Sequence, residues 1–387
     1  MPIRMHLPLT GVQNEAQPQT VAKEVNMSSV ANRQCKEKCG HVNFEGKACW
    51  VGVDVHKVSY AVAILDEDGQ RHEFSTSAVP KKLLLQLLGI GMTIKALVYE
   101  SGPTGYGLAW ACQEFGIPVL VAAPSRIPRP VSKTGKTDRL DSMKLAEFLA
   151  RDMIKSIAIP TEAENHLRSL ERCRQQLVER RRTVRQHIKS LLLFHGLDEP
   201  AGLSGWSMAY VHSLQVMVLP DVLRITLDSY LKEHAFILEE LRCLRKQLSA
   251  TLQAAEKLQT LENLRTIPGV GETIATTFLT EIFRPERFKR AEEICAYVGL
   301  APVTSHSGSG KATARLGQVG QNYLRSILVQ GAWRFITAEP QYHDLFIKIQ
   351  TKTGLFAKAL VALARKFLIL LWRVAVENRP YRPASVQ

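Results

Sequence analysis

Two spacings of apolar residues divide the chain. Before about residue 125 they come in short, β-branched runs; after about residue 160 they recur every three or four positions. In "VGVDVHKVSYAVAILDEDG", residues 51–69, Val51, Val53 and Val55 alternate with Gly52 and Asp54, and Tyr60 to Leu65 forms a second apolar run. The turn "DEDG" then precedes "RHEFST", which together predicts an antiparallel hairpin. "VPKKLLLQLLGIG" predicts a helix and "IKALVYE" a strand ending in Glu100. "SGPTGYGLAWACQEFG" predicts a loop and a helix capped by Thr104, and "IPVLVAA" a buried strand. A Pro- and Lys-rich loop, "PSRIPRPVSKTGKTDRL", leads into a helix, "DSMKLAEFLARDM". Strands alternating with helices after an antiparallel start predict a mixed α/β sheet with helices on both faces.

The second half has helical periodicity. Leu167, Leu170, Leu177, Val184, Ile188 and Leu191 recur at near-heptad spacing, as do Leu231, Leu238, Leu241, Leu244, Leu248 and Leu252. Two long helices are expected, paired as a coiled coil. "IPGVG", residues 267–271, fits a helix-hairpin-helix element in which Gly269 and Gly271 let the backbone approach a phosphate; a plain helix–helix turn fits the same residues. The longest apolar stretch, residues 355–376, carries Lys358, Arg365, Lys366 and Arg373. A membrane span does not tolerate four cations, so a basic amphipathic helix is expected.

Composition narrows the partners. A length of 387 residues suggests two or three domains, and 45% hydrophobic residues a globular protein. Lys plus Arg outnumber Asp plus Glu by 50 to 36, with a net charge of +14 and a pI near 9.5. That balance favours a polyanion, nucleic acid before membrane. The first 26 residues are polar, without the apolar segment of a signal peptide, and seven scattered cysteines fit a reducing cytoplasm with access to the nucleoid. Cys35, Cys39, His41 and Cys49 do not match a zinc-site spacing. Residues 1–47 are expected to form a flexible extension.

The candidate chemistry begins with Asp54. A lone carboxylate in a buried strand costs on the order of several kcal/mol unless it is paired or binds a metal. Glu100 ends another strand, and Asp138 and Asp141 share the first turn of a helix. Singly, Asp138 is explained as an N-cap and Asp141 as a complement to the helix dipole. Jointly, the four acids predict a site for two Mg²⁺ ions about 4 Å apart, the apparatus of phosphodiester cleavage. Lys133, Lys136 and Arg139 supply phosphate-binding cations beside them. Residues 161–195 carry eight Lys/Arg against four Glu, including Arg180, Arg181 and Arg182, which suits either a solvated face or a surface contacting a nucleic-acid backbone.

"GVDVHK", "YESGPTGYG" and "KTDRLDSMKLA" resemble the D, E and D-x-x-D blocks of a family of insertion-sequence transposases related to pilin-gene invertases. "LRTIPGVGETIATTFLTEI" and the following block from Phe288 to Trp333 resemble that family's C-terminal domain. Ser142 departs from the pattern, standing where a small residue such as alanine is expected. The resemblance implies a ribonuclease-H-like, resolvase-like α/β catalytic domain over 48–158 and a helical coiled-coil region over 159–262 that dimerises and touches nucleic acid. It further implies a mainly α C-terminal transposase domain over 263–387. Asp54, Glu100, Asp138 and Asp141 would be the metal-binding tetrad. A serine ahead of a basic segment and an "LG" step would be the nucleophile: Ser307, with Ser309 as the close second, and Lys311 and Arg315 gripping phosphate. Arg325 joins the expected nucleic-acid contacts. The implied partners are double-stranded DNA of element ends and target, a structured guide RNA from the same element, and further copies of the chain in a dimer or tetramer; no membrane is implied.

Two rival functions follow from the same residues. A junction-resolving metal nuclease needs the acids alone, with water as nucleophile. An actin-like ATPase or sugar kinase also opens on a hairpin bearing an Asp, but needs a glycine-rich loop where His56 and Lys57 stand.

Overall fold

β1 (Ala48–Val55) pairs on both sides: antiparallel with β2 (Ser59–Asp66) and parallel with β4 (Thr93–Glu100). With β3 (Arg71–Ser77) beyond β2 and β5 (Val119–Ala122) beyond β4, the five-stranded sheet has the order β3-β2-β1-β4-β5. The computed structural model describes residues 43–127, 138–202, 205–305, 313–316 and 320–383. Within them the chain forms two units, Met1–Thr161 and Glu162–Gln387.

In the first unit the side-chain alternation of each strand sends residues to two cores. Val51, Val53, Leu97 and Tyr99 pack with Leu83, Leu84 and Leu87 of α1 (Pro80–Gly89) and with Leu108 and Cys112 of α2 (Gly107–Glu114). Ala96 and Val98, with Trp50 at the margin, pack instead with Leu145 and Leu149 of α3 (Asp138–Ala150) on the other face. This mixed sheet with helices on both faces is compatible with a ribonuclease-H-like fold. β2 departs from simple alternation: Tyr60 to Asp66 are all buried, because the strand lies inside the sheet under both layers. The buried Asp66 is compensated by Lys47, whose Nζ donates to it over 2.8 Å, and by the Gln70 amide at 2.7 Å. Burial pushes the Asp66 carboxyl up, but these two donors outweigh it and hold the group below its ordinary value. One local expectation needs correction: Tyr106, not Thr104, takes the cap position of α2, with no side-chain hydrogen bond. α3 begins at Asp138, so Asp138 and Asp141 share its first turn.

In the second unit α4 (Glu162–Phe194) and α6 (Asp221–Ala254) run antiparallel, with α5 (Met208–Val216) between them in sequence. Their direction follows from shared cores: Leu167 meets Leu248 and Leu252, whereas Leu192 meets Leu227 and Leu231. The leucine repeats form this seam. The remaining elements are α7 (Leu258–Arg265), α8 (Glu272–Ile282), α9 (Ala291–Val298), the two-stranded β6 (Pro302–Ser305) and β7 (Thr313–Leu316), α10 (Asn322–Ala338), α11 (Pro340–Thr353) and α12 (Phe356–Glu377). Phe278, Val298, Leu328, Phe335 and Phe367 centre their core, which also takes in the Leu167 and Leu252 ends of the hairpin. The apolar run at the C-terminus is the amphipathic α12, burying Leu363, Phe367, Leu368 and Leu371 along one stripe. No helix among the described residues is long and apolar enough to cross a membrane.

Charges knit this unit together. Glu171 of α4 is fully buried and accepts hydrogen bonds from the Arg174 guanidinium and from Thr277 of α8 at 2.6 Å. Glu281 of α8 accepts from Arg172 at 2.8 and 3.0 Å and lies 3.4 Å from Arg168.

Candidate active site

Strand parity decides which way Asp54 points. Val51 and Val53 enter the α1–α2 core, so Gly52 and Asp54 belong to the face covered by α3. By the same parity Glu100 lies on the face of Ala96 and Val98. The parallel register pairs Gly52 with Val98 and Val53 with Tyr99; Asp54 and Glu100 follow one step later, at the C-terminal ends of neighbouring strands. Strand ends of this kind are where α/β sheets build their sites.

α3 is laid across this face by a glycine. A Cβ on Gly52 would stand 2.1 Å from the Ser142 carbonyl oxygen and 2.6 Å from the Ala146 nitrogen, so the helix backbone rests directly on β1. Ser142 is buried at this contact, which gives a physical reason for a small side chain there. The helix direction is set by Glu147, which pairs at 2.9 Å with Arg71 at the start of β3. Arg71 lies opposite Leu65, itself opposite Trp50 near the start of β1. The later turns of α3 therefore cover the beginning of β1, and its first turn, with Asp138 and Asp141, covers the end where Asp54 stands. The positive end of the helix dipole points to the same edge.

The described carboxylates are accessible to solvent. Asp54 Oδ2 lies 3.2 Å from His56 Nε2, Asp141 lies 3.8 Å from Lys144, and Glu100 is exposed. Asp138 opens α3, and nothing is described of its side chain or of that of Arg139. Carboxylate oxygens are the donors that hard divalent cations take, so the chemistry of the set fits such an ion. Among the described residues, however, no three His, Cys, Asp or Glu side chains are gathered into one metal-holding group. Asp54, Glu100 and the first turn of α3 share one edge of the sheet. Cys49 is no ligand candidate: it is buried in β1, and burial pushes its thiol up to about 11.

The expected nucleic-acid contacts are dispersed. Arg180 and Arg182 are exposed on α4 and Arg181 is half-buried; Arg182 is 3.9 Å from Glu179. Arg325 donates to the Asn322 side chain over 2.8 Å and to the Gly299 carbonyl over 3.4 Å. Gly269 has φ of +84°, and a Cβ there would meet the Gly331 oxygen at 2.6 Å, so close packing on α10 already explains this glycine. Gly271 is exposed with open space around it and precedes α8, whose first turn carries Glu272. Arg315 lies on β7, and nothing is described of its side chain. Lys133, Lys136, Ser307, Ser309 and Lys311, like Cys35, Cys39 and His41, lie outside the described residues.

Comparison with known families bears on both halves. A transposase family model of the DEDD type in the IS110 group matches residues 51–196, spanning the sheet, α3 and all of α4. A second, described as "Transposase IS116/IS110/IS902 family", matches residues 261–346, from α7 into α11. Both models describe insertion-sequence transposases of the IS110/IS116 group, one matching each half of the chain. A putative transposase of Sinorhizobium fredii is 29% identical over 300 residues, covering 75% of this chain and 72% of the relative. The transposase for insertion sequence element IS1111A of Coxiella burnetii is 24% identical, with 69% and 74% covered. That for IS1328 of Yersinia enterocolitica is 25% identical, with 73% and 82% covered. A transposase family of this kind implies DNA cleavage and strand transfer as the activity class, and a DEDD-type domain suggests use of a divalent metal.

Two residues that shape the site of this transposase were missed in the sequence reading. Gly52 sets the height of α3, and its signal was available: a glycine inside a β-branched strand marks close backbone approach. His56 beside Asp54 was weighed only as an argument against a kinase, although a His two residues from a strand carboxylate can reach it past the strand end.

Proposed function

We propose that the chain is the recombinase of its element, cleaving and rejoining DNA strands with the acids on the sheet edge and a serine from the C-terminal half. The observation that carries this reading is the placement of Asp54 and Glu100 side by side on the α3 face, under the helix turn that brings Asp138 and Asp141. In this reading the four carboxylates hold two Mg²⁺ ions. Such ions would neutralise charge developing on the phosphate and the leaving oxygen. Lys133, Lys136 and Arg139 bind phosphates next to the acids, and Lys311 and Arg315 do so beside the serine.

Ser307 Oγ, giving up its proton, attacks a phosphorus of the strand. A new O–P ester forms, the bond to the sugar oxygen breaks, and that oxygen leaves as a protonated hydroxyl. A strand hydroxyl then reverses the exchange and releases the serine. Ser309 is the alternative donor in the same segment. Specificity comes from a guide RNA of the element, which pairs with donor and target DNA while Arg180, Arg182 and Arg325 hold backbone. Two or more copies assemble through the α4–α6 hairpin, which acts as a coiled coil. Its far end exposes Phe194, Met208, Val218 and Val222, an apolar surface of the kind that marks an interface.

The test is a cleavage assay on element-end DNA with divalent metal. Asp54→Asn or Glu100→Gln should lower the cleavage rate by about a hundredfold or more, as loss of charge stabilisation does, while shifting stability by no more than about 0.5 kcal/mol, since both are accessible side chains. Ser307→Ala should abolish the covalent protein–DNA adduct on denaturing gels. Full cleavage in Ser307→Ala and Ser309→Ala together would instead establish water as the nucleophile and the enzyme as a resolving nuclease.

A further inference from the structure

A second concentration of positive charge lies well along α4, away from the residues that tie it to α8. Arg181 and Arg185 are one helical turn apart, so their guanidiniums repel across the same face. Neither has a carboxylate within ion-pair distance among the described residues, whereas Arg182 has Glu179 and Lys189 has Glu199 at 2.8 Å. Arg185 is held by neutral groups instead. Its Nε donates to His234 Nε2 over 3.0 Å, and its guanidinium carbon lies 4.9 Å from the centre of the Trp206 ring. His234 is buried, and burial with the nearby Arg185 and Arg181 pushes it down to about 4, so it is an uncharged acceptor at neutral pH.

Arg181, Arg185, Gln186 and Trp206 line a cleft of about 370 Å³ together with Val178, Arg182 and Lys189 and one carboxylate, Glu179, so cations outnumber acids there by four to one. This is within the size range of small-ligand sites. Trp206 takes φ of +67°, a left-handed conformation that bulky residues rarely adopt. Its ring is fixed there between Tyr210 and His234, with centroids 5.3 and 5.0 Å away. An indole held in an unusual backbone conformation, beside two guanidiniums that form no ion pair because the cleft's one carboxylate, Glu179, lies nearest Arg182, is a site arranged for an aromatic anion.

We propose that this cleft binds one unpaired nucleotide of a nucleic-acid strand, with its phosphate between Arg181 and Arg185 and its base against Trp206. A base can reach the indole only after leaving its own stack, so the cleft selects single-stranded over duplex segments. The inference rests on the recombinase reading and adds to it a contact, remote in sequence from the four acids, that catches a strand once it is unpaired.

The probe is a single-stranded 12-mer carrying 5-bromouracil, made as DNA and as RNA, irradiated with the full chain and mapped by mass spectrometry. A crosslink on Trp206 is expected, absent with the same sequence as a duplex. Arg181→Ala and Arg181→Gln should each weaken single-strand binding by about tenfold in fluorescence anisotropy and remove the crosslink. Arg185→Lys, which keeps the charge and loses the planar stack, should weaken it less. The DNA and RNA arms identify the strand by which crosslinks more strongly. Crosslinks confined to other peptides, or binding by both Arg181 variants within about twofold of wild type, would overturn the proposal. If the chain still binds and cuts element-end duplex, that failure stops at the cleft; if duplex binding is absent too, the recombinase reading fails with it.

Discussion

Apart from Asp66, which the sheet unit buries against Lys47, the sheet unit and the helical unit handle charge in opposite ways. The first builds its cores from Val, Ile, Leu and Tyr and leaves Asp54, Glu100 and Asp141 at an edge open to solvent. The second draws Arg168, Glu171 and Glu281 inside and uses them to join α4 to α8. A carboxylate meant for chemistry must remain reachable, and reach costs it structural partners. One meant for architecture must have its lone pairs filled, because an uncompensated buried charge is among the most destabilising groups a core can hold. In the proposed reading, the two units put the same functional group to both uses.

This contrast can be broken most severely at Glu171. Glu171→Ala strands the half-buried Arg174 guanidinium and the Thr277 hydroxyl, and should cost about 3–5 kcal/mol in urea unfolding, the cost of removing one partner of a buried pair. An effect below about 1 kcal/mol would mean the network behaves as a surface ion pair. Gly52→Ala should come next. It forces the Ser142 and Ala146 backbone away from β1 and should cost about 1–3 kcal/mol, the usual scale of overpacking. Because the displaced element carries Asp138 and Asp141, cleavage should fall further than the stability loss explains. Activity that merely tracks the folded fraction would contradict this.

A smaller effect is expected from pH. His234 ordinarily titrates near 6.5 and is pushed down to about 4 in the fold, so between these values the unfolded chain binds a proton that the native chain does not. Stability should therefore fall as pH drops from about 6.5 toward 4, at no more than about 1.4 kcal/mol per pH unit, and this contribution should be flat above that window. The difference between wild type and His234→Gln, followed by urea midpoints across the range, isolates it. The smallest effect belongs to Lys81, whose exposed pair with Glu114 at 3.4 Å should be worth about 0.5 kcal/mol or less by Lys81→Ala.

The order of elements was legible because local patterns encode it. Alternating valines marked β1, apolar spacing marked α1, α4 and α6, and four cations showed that residues 355–376 form an amphipathic helix rather than a membrane span. Glu100 at a strand end was legible too, but its neighbourhood to Asp54 rests on the parallel pairing of β1 with β4, which no local pattern shows. What stayed hidden depends on partners distant in the chain. Glu171 and Thr277 are 106 positions apart, and Arg172 and Glu281 are 109 apart, so the polarity of α4 suggested a solvated or nucleic-acid face throughout. Gly269 was left between an approach to phosphate and a plain helix–helix turn, because its neighbour on α10, Gly331, is invisible to a local pattern. Trp206 gave no signal at all: its importance arises from Arg185 and His234, one on each long helix.

The parallel pairing of β1 with β4 has an evolutionary consequence. Asp54 and Glu100 are spaced by a backbone hydrogen-bond lattice, with strands about 4.8 Å apart whatever side chains surround them, so drift in the core leaves their separation untouched. Asp138 and Asp141 have no such guarantee, because the height of their helix on the sheet depends on side chains, above all on the missing methyl group at Gly52. Half of the proposed acid set is thus inherited from geometry common to all sheets, and half depends on the side chains that seat one helix. Decaying copies of such an element should lose the second half first.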